Sequence, residues 1–157
     1  MKDQDAPADQ VRSLLATGKR AYLGTLAARG SSRFPFVSLV LPGLDAAGSP
    51  LLLLSDLSDH AKNLKLDPHA SLLYDGTLTY AEPLTGPRVT LIGRVERADT
   101  TEDRRQYLEA QPSAEVYAGF GDFHVYRFEI AEALLVAGFG KIHRLAGHSV
   151  ASPAGPS

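Results

Sequence analysis

The chain lacks cysteine and tryptophan altogether and has one methionine among its 157 residues. The absence of cysteine excludes disulfides, thiolate metal sites and cysteine nucleophiles. Neither sign of charge dominates, because the formal net charge is -2, and this balance gives no basic field for nucleic acid. No apolar run approaches the roughly 20 residues of a membrane-spanning helix, and the N-terminus has no signal-peptide pattern. We therefore expect a cytoplasmic protein without a nucleic-acid or membrane partner.

The length and composition fit one domain with a substantial core, because hydrophobic residues make up 44% of the chain and charged residues 22%. Residues 1–8 are polar, and residues 146–157 are rich in Ala, Gly, Ser and Pro. Segments of this composition seldom bury enough apolar surface to fold. We predict disordered ends around one domain at residues 9–145.

The pattern of apolar residues and turn residues predicts a mainly β chain with single helices between strands. The predicted strands are Ala21–Ala28, Pro35–Leu41, Leu51–Ser55, Ala70–Tyr74, Arg88–Ala98, Phe123–Ile130 and Leu134–Phe139. The predicted helices are Asp9–Thr17, Ser58–Leu66, Thr100–Ala110 and Ser113–Ala118. This order favours an antiparallel barrel or sandwich with peripheral helices.

Two of these strands, Pro35–Leu41 and Leu51–Ser55, are apolar on both alternating faces. A small antiparallel barrel usually buries one face of each strand. The chain has few helices to cover the second face, so we predict that another copy covers it and that the protein is a homodimer.

The segment LLLLSDLSDHAKNLKL joins a strand to a helix and carries Ser55, Ser58, His60 and Lys62. Free backbone N–H groups and the positive end of a helix suit an anion, and hydroxyls and a cation add to that site. These residues equally suit a plain helix start, with Ser58 as the N-cap and the two basic side chains in solvent. The residues alone leave both interpretations open.

The sequence also leaves two interpretations open for Ser38 and for Arg88. Ser38 is a lone hydroxyl in an apolar strand and needs a partner from the backbone or from a ligand. Arg88 begins a long strand and either contacts a ligand or lies in solvent. The five histidines show no paired metal-ligand spacing, so no protein metal site is expected.

Four blocks taken together resemble the pyridoxamine 5′-phosphate oxidase-like FMN-binding split-barrel superfamily, and within it the HugZ-type haem-utilisation branch. The blocks are PFVSLVLP, SDLSDHAKNLKLDPHASLL, EPLTGPRVTLIGRVER and YAGFGDFHVYRFEIAEALLVAGFGK. The likeness spans about Val11 to Arg144. It implies a six-stranded antiparallel split β-barrel and a homodimer with FMN at the dimer interface.

The resemblance also assigns cofactor-binding positions. They are Ser38, Leu39, Val40, Ser55, Ser58, His60, Lys62, Asn63 and Arg88. In this assignment the strand around Ser38 lines the flavin, and Ser58 with His60 holds its phosphate. Arg88 contacts the flavin from the long strand.

The chain departs from the vitamin B6 oxidases in having His60 where they have Lys, and in lacking their basic strand motif and C-terminal Arg/His motif. We therefore expect an FMN-binding flavoprotein that acts as an oxidoreductase on a substrate other than pyridoxamine phosphate. The alternatives are a haem-binding or haem-degrading protein with His143 as a possible iron ligand, and a non-catalytic flavin-binding dimer. The segment Lys141–Arg144 either covers a ligand or flanks the fold in solvent.

Overall fold

A computed structural model describes residues 5–152 of the chain. The strands are β1 (Ala21–Arg29), β2 (Ser32–Val40), β3 (Gly43–Leu44), β4 (Pro50–Ser55), β5 (His69–Asp75), β6 (Arg88–Arg97), β7 (Phe123–Gly138) and β8 (Lys141–Ala146). The helices are α1 (Asp5–Thr17), α2 (Asp59–Leu66), α3 (Thr101–Ala110) and α4 (Glu115–Ala118). Within residues 5–152, none of the helices has the length and apolar character needed to cross a bilayer.

All the strands belong to one antiparallel sheet, which follows the order β2-β1-β5-β6-β7-β4-β3, with β8 paired to β7. The path has two ends, so the sheet is not closed. The prediction of a mainly β split barrel with peripheral helices is confirmed. The six strands implied by the resemblance are too few, because the sheet has eight strands within residues 5–152.

The two last predicted strands are one continuous strand, β7, of 16 residues. Its pairing with β6 skips Ala131, which forms a bulge between Ile130 and Glu132. A bulge bends a strand without ending it. The polar and small residues at this bend gave the false impression of a turn, and β7 instead pairs with β4 through its first part and with β8 through its last.

Two glycines allow this bend to be packed closely. A Cβ atom on Gly93 would lie 1.9 Å from the carbonyl oxygen of Glu129, and one on Gly147 would lie 1.7 Å from that of Ile130. No side chain fits at such distances. Backbone from both neighbours therefore presses directly on the bent part of β7.

The ends of the folded region differ from the prediction. The first helix begins at Asp5 rather than Asp9, and Ala8 is buried. Residues 147–149 form a 3₁₀ turn, and Val150 packs into the core with 3% of its surface exposed. Burial of Val150 explains why the chain remains folded beyond Ala146. The rest of the predicted disordered ends, residues 1–4 and 153–157, lies outside the described residues.

Both faces of β4 are covered within the chain. Leu52 and Leu54 pack into the main core, whereas Leu51 and Leu53 pack on the other side with Tyr107 of α3. For β4, the expectation that a second copy must cover the outer face is therefore wrong, because α3 and α4 supply the cover.

The outer face of β2 has no such cover among the described residues. Val37 is 69% exposed and Leu39 is 59% exposed. The sequence makes both faces of β2 and β4 apolar. For β4 the chain itself covers both faces, whereas for β2 the described residues leave the outer face exposed.

Candidate functional site

A cavity of about 390 Å³ lies between β2 and β4. Strand β2 is one end of the sheet path and β4 is next to the other end, so the cavity occupies the split in the barrel. Residues 39–41 line it from the side of β2, and residues 53–55 line it from the side of β4. Five of these six residues are leucine or valine. The two walls are therefore almost entirely apolar.

Three aromatic side chains also line the cavity: Tyr107 of α3, Tyr117 of α4 and Phe123 of β7. The Tyr107 hydroxyl donates a hydrogen bond of 2.7 Å to the carbonyl of Leu41, which fixes its ring against the end of β2. The rings of Tyr117 and Phe123 pack with their centroids 4.9 Å apart. The cavity thus has aromatic surface suited to a flat apolar ligand.

The two serines at the polar edge of the cavity are engaged in local hydrogen bonds. Ser58 Oγ accepts from the N–H of Ala61 at 3.3 Å and donates to the carbonyl of Ser55 at 2.6 Å. Ser55 Oγ donates to Asp122 at 2.6 Å and accepts from the N–H of Leu57 at 3.1 Å. Of the two interpretations left open by the sequence, the structure shows Ser58 as the N-cap of α2.

The start of α2 offers a small number of free donors. The N–H of Lys62 bonds to the carbonyl of Ser58, and that of Ala61 bonds to its side chain. In the part of the chain that the structure describes, the N–H groups of Asp59 and His60 have no such partner. The carboxylate of Asp59 lies in the same turn and opposes an anion there.

His60 is half-buried and lines the cavity. Burial lowers the pKa of His60 below its ordinary value, and the neighbouring charge of Asp59 opposes this in part. The side chain is therefore neutral near pH 7. A neutral imidazole keeps a nitrogen lone pair that is able to bind a metal or accept a hydrogen bond.

The cavity brings together Leu39, Val40, Ser55, Ser58 and His60 of the predicted site, and the other predicted residues lie elsewhere. Lys62 lines a second cavity of about 700 Å³ with Lys65, Arg97 and Tyr126. Asn63 is buried and donates to Thr25 Oγ1 at 3.0 Å, so its amide holds α2 to β1.

Arg88 and Ser38 do not line the cavity either. The Arg88 guanidinium donates to the carbonyls of Leu84 and Gly86 at 3.0 and 3.2 Å, and β6 is separated from β2 by β1 and β5. Ser38 Oγ is buried and has no hydrogen-bond partner within residues 5–152. The sequence predicts a backbone or ligand partner for the Ser38 hydroxyl, and the described residues supply none.

His143, the possible iron ligand, is exposed on β8 opposite Leu135. Leu135 lies near the last part of β7, whereas the cavity contacts its first residue, Phe123. The segment Lys141–Arg144 forms most of β8 rather than a loop over the cavity. Within one chain, His143 and the cavity are at opposite ends of β7.

Sequence reasoning missed the aromatic wall and the residue that organises it. Arg104 of α3 donates to the carbonyls of Ala118 and Phe123 at 2.6 and 2.7 Å and pairs with Asp99 at 2.8 Å. The spacing of Tyr117, Phe120 and Phe123, three residues apart, was the available signal.

Asp99 is the centre of this group. Burial disfavours its charge, but hydrogen bonds from the N–H of Val125, from His124 and from Arg104 outweigh burial and lower the pKa of Asp99 to about 2. It is therefore ionised over the whole physiological range and holds Arg104 in place beside the cavity.

Comparison with known proteins agrees with this architecture. Residues 2–150 match the family described as CREG, beta-barrel. The chloroplastic non-canonical heme oxygenase HOZ of Arabidopsis thaliana is 33% identical over 136 residues. That match covers 85% of this chain and 41% of the relative, so the chain spans less than half of the relative's length.

Two solved structures show the same fold. A heme binding protein from Mycobacterium smegmatis is 31% identical, with a TM-score of 0.84 over 92% of this chain and 59% of that one. A Clostridium acetobutylicum protein of the pyridoxinephosphate oxidase family is 13% identical, with a TM-score of 0.66 over 90% of this chain and 95% of that one. The latter likeness shows the fold alone. The resemblance found in the sequence is confirmed at the level of the fold, and the chain belongs to the family described as CREG, beta-barrel.

Proposed function

We propose that this protein binds haem in the cavity between β2 and β4. One observation carries the proposal: the cavity has apolar and aromatic walls and one imidazole, His60, that burial keeps neutral. Two relatives that are more than 30% identical support it, because one is named a heme oxygenase and the other a heme binding protein.

The residues present fit this group. Haem is a broad apolar porphyrin plane with an iron centre, and the leucines of β2 and β4 with Tyr117 and Phe123 offer surface that buries such a plane. The neutral imidazole of His60 provides the nitrogen that haem iron commonly takes from a protein. When bound, haem supplies redox chemistry at iron, while the chain buries the ring, orients it and excludes water.

We further propose that a second copy of the chain covers the outer face of β2. Leu39 lies on that exposed face and also lines the cavity. Covering Val37 and Leu39 would therefore also close one side of the cavity. This arrangement retains the predicted homodimer, with the ligand next to the interface.

FMN is the second candidate. The free N–H groups of Asp59 and His60 favour it, because backbone donors at a helix start suit a phosphate. Against it stand the engaged hydroxyls of Ser55 and Ser58, and the carboxylates of Asp59 and Asp122 beside them. An anionic ligand gains little in such surroundings.

The finer expectations from the sequence remain predictions. FMN-dependent oxidoreductase activity and flavin contacts by Ser38, Lys62 and Arg88 all depend on the second candidate. Iron ligation by His143 depends on a second copy bringing it to the cavity. The cytoplasmic location is also a prediction.

Titration of the purified protein with hemin and, separately, with FMN tests the proposal. We expect a saturable shift of the Soret band with hemin, and we expect His60→Ala to lose the iron-ligation features of that spectrum. His69→Ala is the matched control, because His69 is exposed on β5 and pairs with Asp67 away from the cavity. No specific hemin spectrum in the wild type, or saturable binding of FMN alone, would overturn the haem assignment.

A further inference from the structure

Residues 118–123 connect α4 to β7 and form a short segment that we call the strap. Hydrogen bonds hold both ends of the strap in place. One guanidinium, that of Arg104, holds its first and last carbonyls, those of Ala118 and Phe123. Near its end, Asp122 accepts hydrogen bonds from the Ser55 side chain at 2.6 Å and from the N–H of Asp56 at 2.7 Å. The strap is therefore attached to both α3 and the end of β4.

The middle of the strap presents the side chain of Phe120 to solvent, and hydrogen bonds fix the backbone of Phe120. Its N–H bonds to the carbonyl of Tyr117, and its carbonyl accepts from the N–H of Phe123. A Cβ atom on either neighbour, Gly119 or Gly121, would meet no atom within 4 Å. The backbone on both sides of Phe120 is therefore not packed against other parts of the described chain.

The ring of Phe120 lies next to the cavity. Its centroid is 6.2 Å from that of Phe123, which lines the cavity, and the two rings meet edge to face. Phe120 is nevertheless 56% exposed. When a ligand covers an exposed aromatic ring beside an apolar opening, the buried apolar surface stabilises the complex.

We propose that Phe120 is a specificity-determining residue that turns over the opening and stacks on the flat ring of the bound ligand. This inference rests on the proposed haem function and names the part of the ligand that is recognised, the macrocycle rather than the iron. Arg104 is its positioning residue, because it fixes the ends of the strap. The roles of Phe120 and His60 are then separable: one contacts the ring, and the other contacts the metal.

Metal-free protoporphyrin IX separates the two contacts experimentally. We expect Phe120→Ala to weaken hemin and protoporphyrin IX equally, by about tenfold, from lost stacking and lost apolar contact. Phe120→Leu keeps apolar area without the flat ring, so its affinity for each ligand should lie between those of the wild type and Phe120→Ala. His60→Ala should weaken hemin and leave protoporphyrin IX nearly unchanged.

The chain contains its own matched control. Phe139 also lies between two glycines, is 82% exposed and stands at the turn between β7 and β8, away from the cavity. Phe139→Ala should leave both affinities unchanged. Thermal melts of every variant verify folding, which is expected because both phenylalanines are exposed.

The outcomes distinguish this inference from the function on which it rests. Wild-type binding of both ligands with unchanged affinity in Phe120→Ala overturns the role of Phe120 and leaves the haem proposal standing. If Phe120→Ala weakens the binding of hemin but not that of protoporphyrin IX, recognition of the ring by Phe120 is also contradicted. If the wild type binds neither ligand, the haem function itself fails and the role of Phe120 with it.

Discussion

The Asn63 amide donates a hydrogen bond of 3.0 Å to the hydroxyl of Thr25, and both side chains are buried. This contact joins α2 to β1 inside the barrel. Asn63 therefore fixes the helix that carries His60 into the cavity, although it does not line the cavity itself. The contribution of Asn63 to ligand binding is one of position.

Removal of the Asn63 amide should destabilise the protein. Asn63→Ala leaves the buried Thr25 hydroxyl without its partner, and we expect the free energy of unfolding to fall by about 1–3 kcal/mol. Urea denaturation measures this change. In the double variant Asn63→Leu with Thr25→Val neither polar group remains, so it should recover part of the loss. Equal stability of Asn63→Ala and the wild type would show that the bond contributes nothing.

The two glycines at the bend of β7 should tolerate no side chain. Gly93→Ala and Gly147→Ala each place a methyl group against a backbone oxygen, at 1.9 and 1.7 Å, so the strands must separate. We expect each variant to lose about 2–4 kcal/mol of stability.

Gly119→Ala is the control for this pair, because its new methyl group would meet no atom within 4 Å. It should change stability by less than about 1 kcal/mol. If thermal melts of Gly93→Ala and Gly119→Ala coincide, the backbone of β7 is not held as closely as the structure indicates.

The sequence predicted most strands and helices because their apolar periodicity is clear, but it divided β7 in two. The bulge at Ala131 lets the chain bend while its hydrogen bonds continue, and no local pattern separates such a bend from a turn. The sequence did not predict the burial of Val150, because this burial depends on contacts with residues distant in the chain.

The candidate site was predicted in part. The sequence assigned Ser58, His60 and Lys62 to one site, and the structure brings only Ser58 and His60 of these three to the cavity. Residues two apart on a helix point away from each other, so Lys62 lines the second cavity instead. Tyr107 was missed because its approach to β2 depends on how α3 packs, which the sequence does not show.

Asp99 should make stability depend on pH in the acid range. Its pKa is lowered to about 2 in the folded protein, below the ordinary value of 3.8. The stability that its charge contributes is therefore fully present above about pH 4 and is lost as pH falls through about 2. Because Asp99 is partly exposed, we expect a contribution of about 1–2 kcal/mol.

Asp99→Asn tests this contribution. The variant should be less stable than the wild type at pH 7, and the difference should shrink as pH falls from 4 to 2. Denaturation curves at several pH values measure it. Glu102→Gln is a matched control, because Glu102 pairs with Arg105 on the exposed side of α3. A difference for Asp99→Asn that stays constant with pH would contradict the lowered pKa.

The proposed dimer predicts that a charge on the outer face of β2 separates the two copies. Val37→Glu places a carboxylate on that face, and Val37 does not line the cavity. Burying an unpaired charge at an interface costs about 3 kcal/mol or more, so dimer dissociation should become at least about a hundredfold easier. Sedimentation velocity over a range of concentrations measures the change.

Leu66→Glu is the control, because Leu66 is 71% exposed at the end of α2. It should leave the association unchanged. A wild type that sediments as a monomer at all concentrations would exclude the dimer. If Val37→Glu is a folded monomer with weakened hemin affinity, the second copy supplies part of the cavity wall. Unchanged affinity in that monomer would place the whole binding surface within one chain.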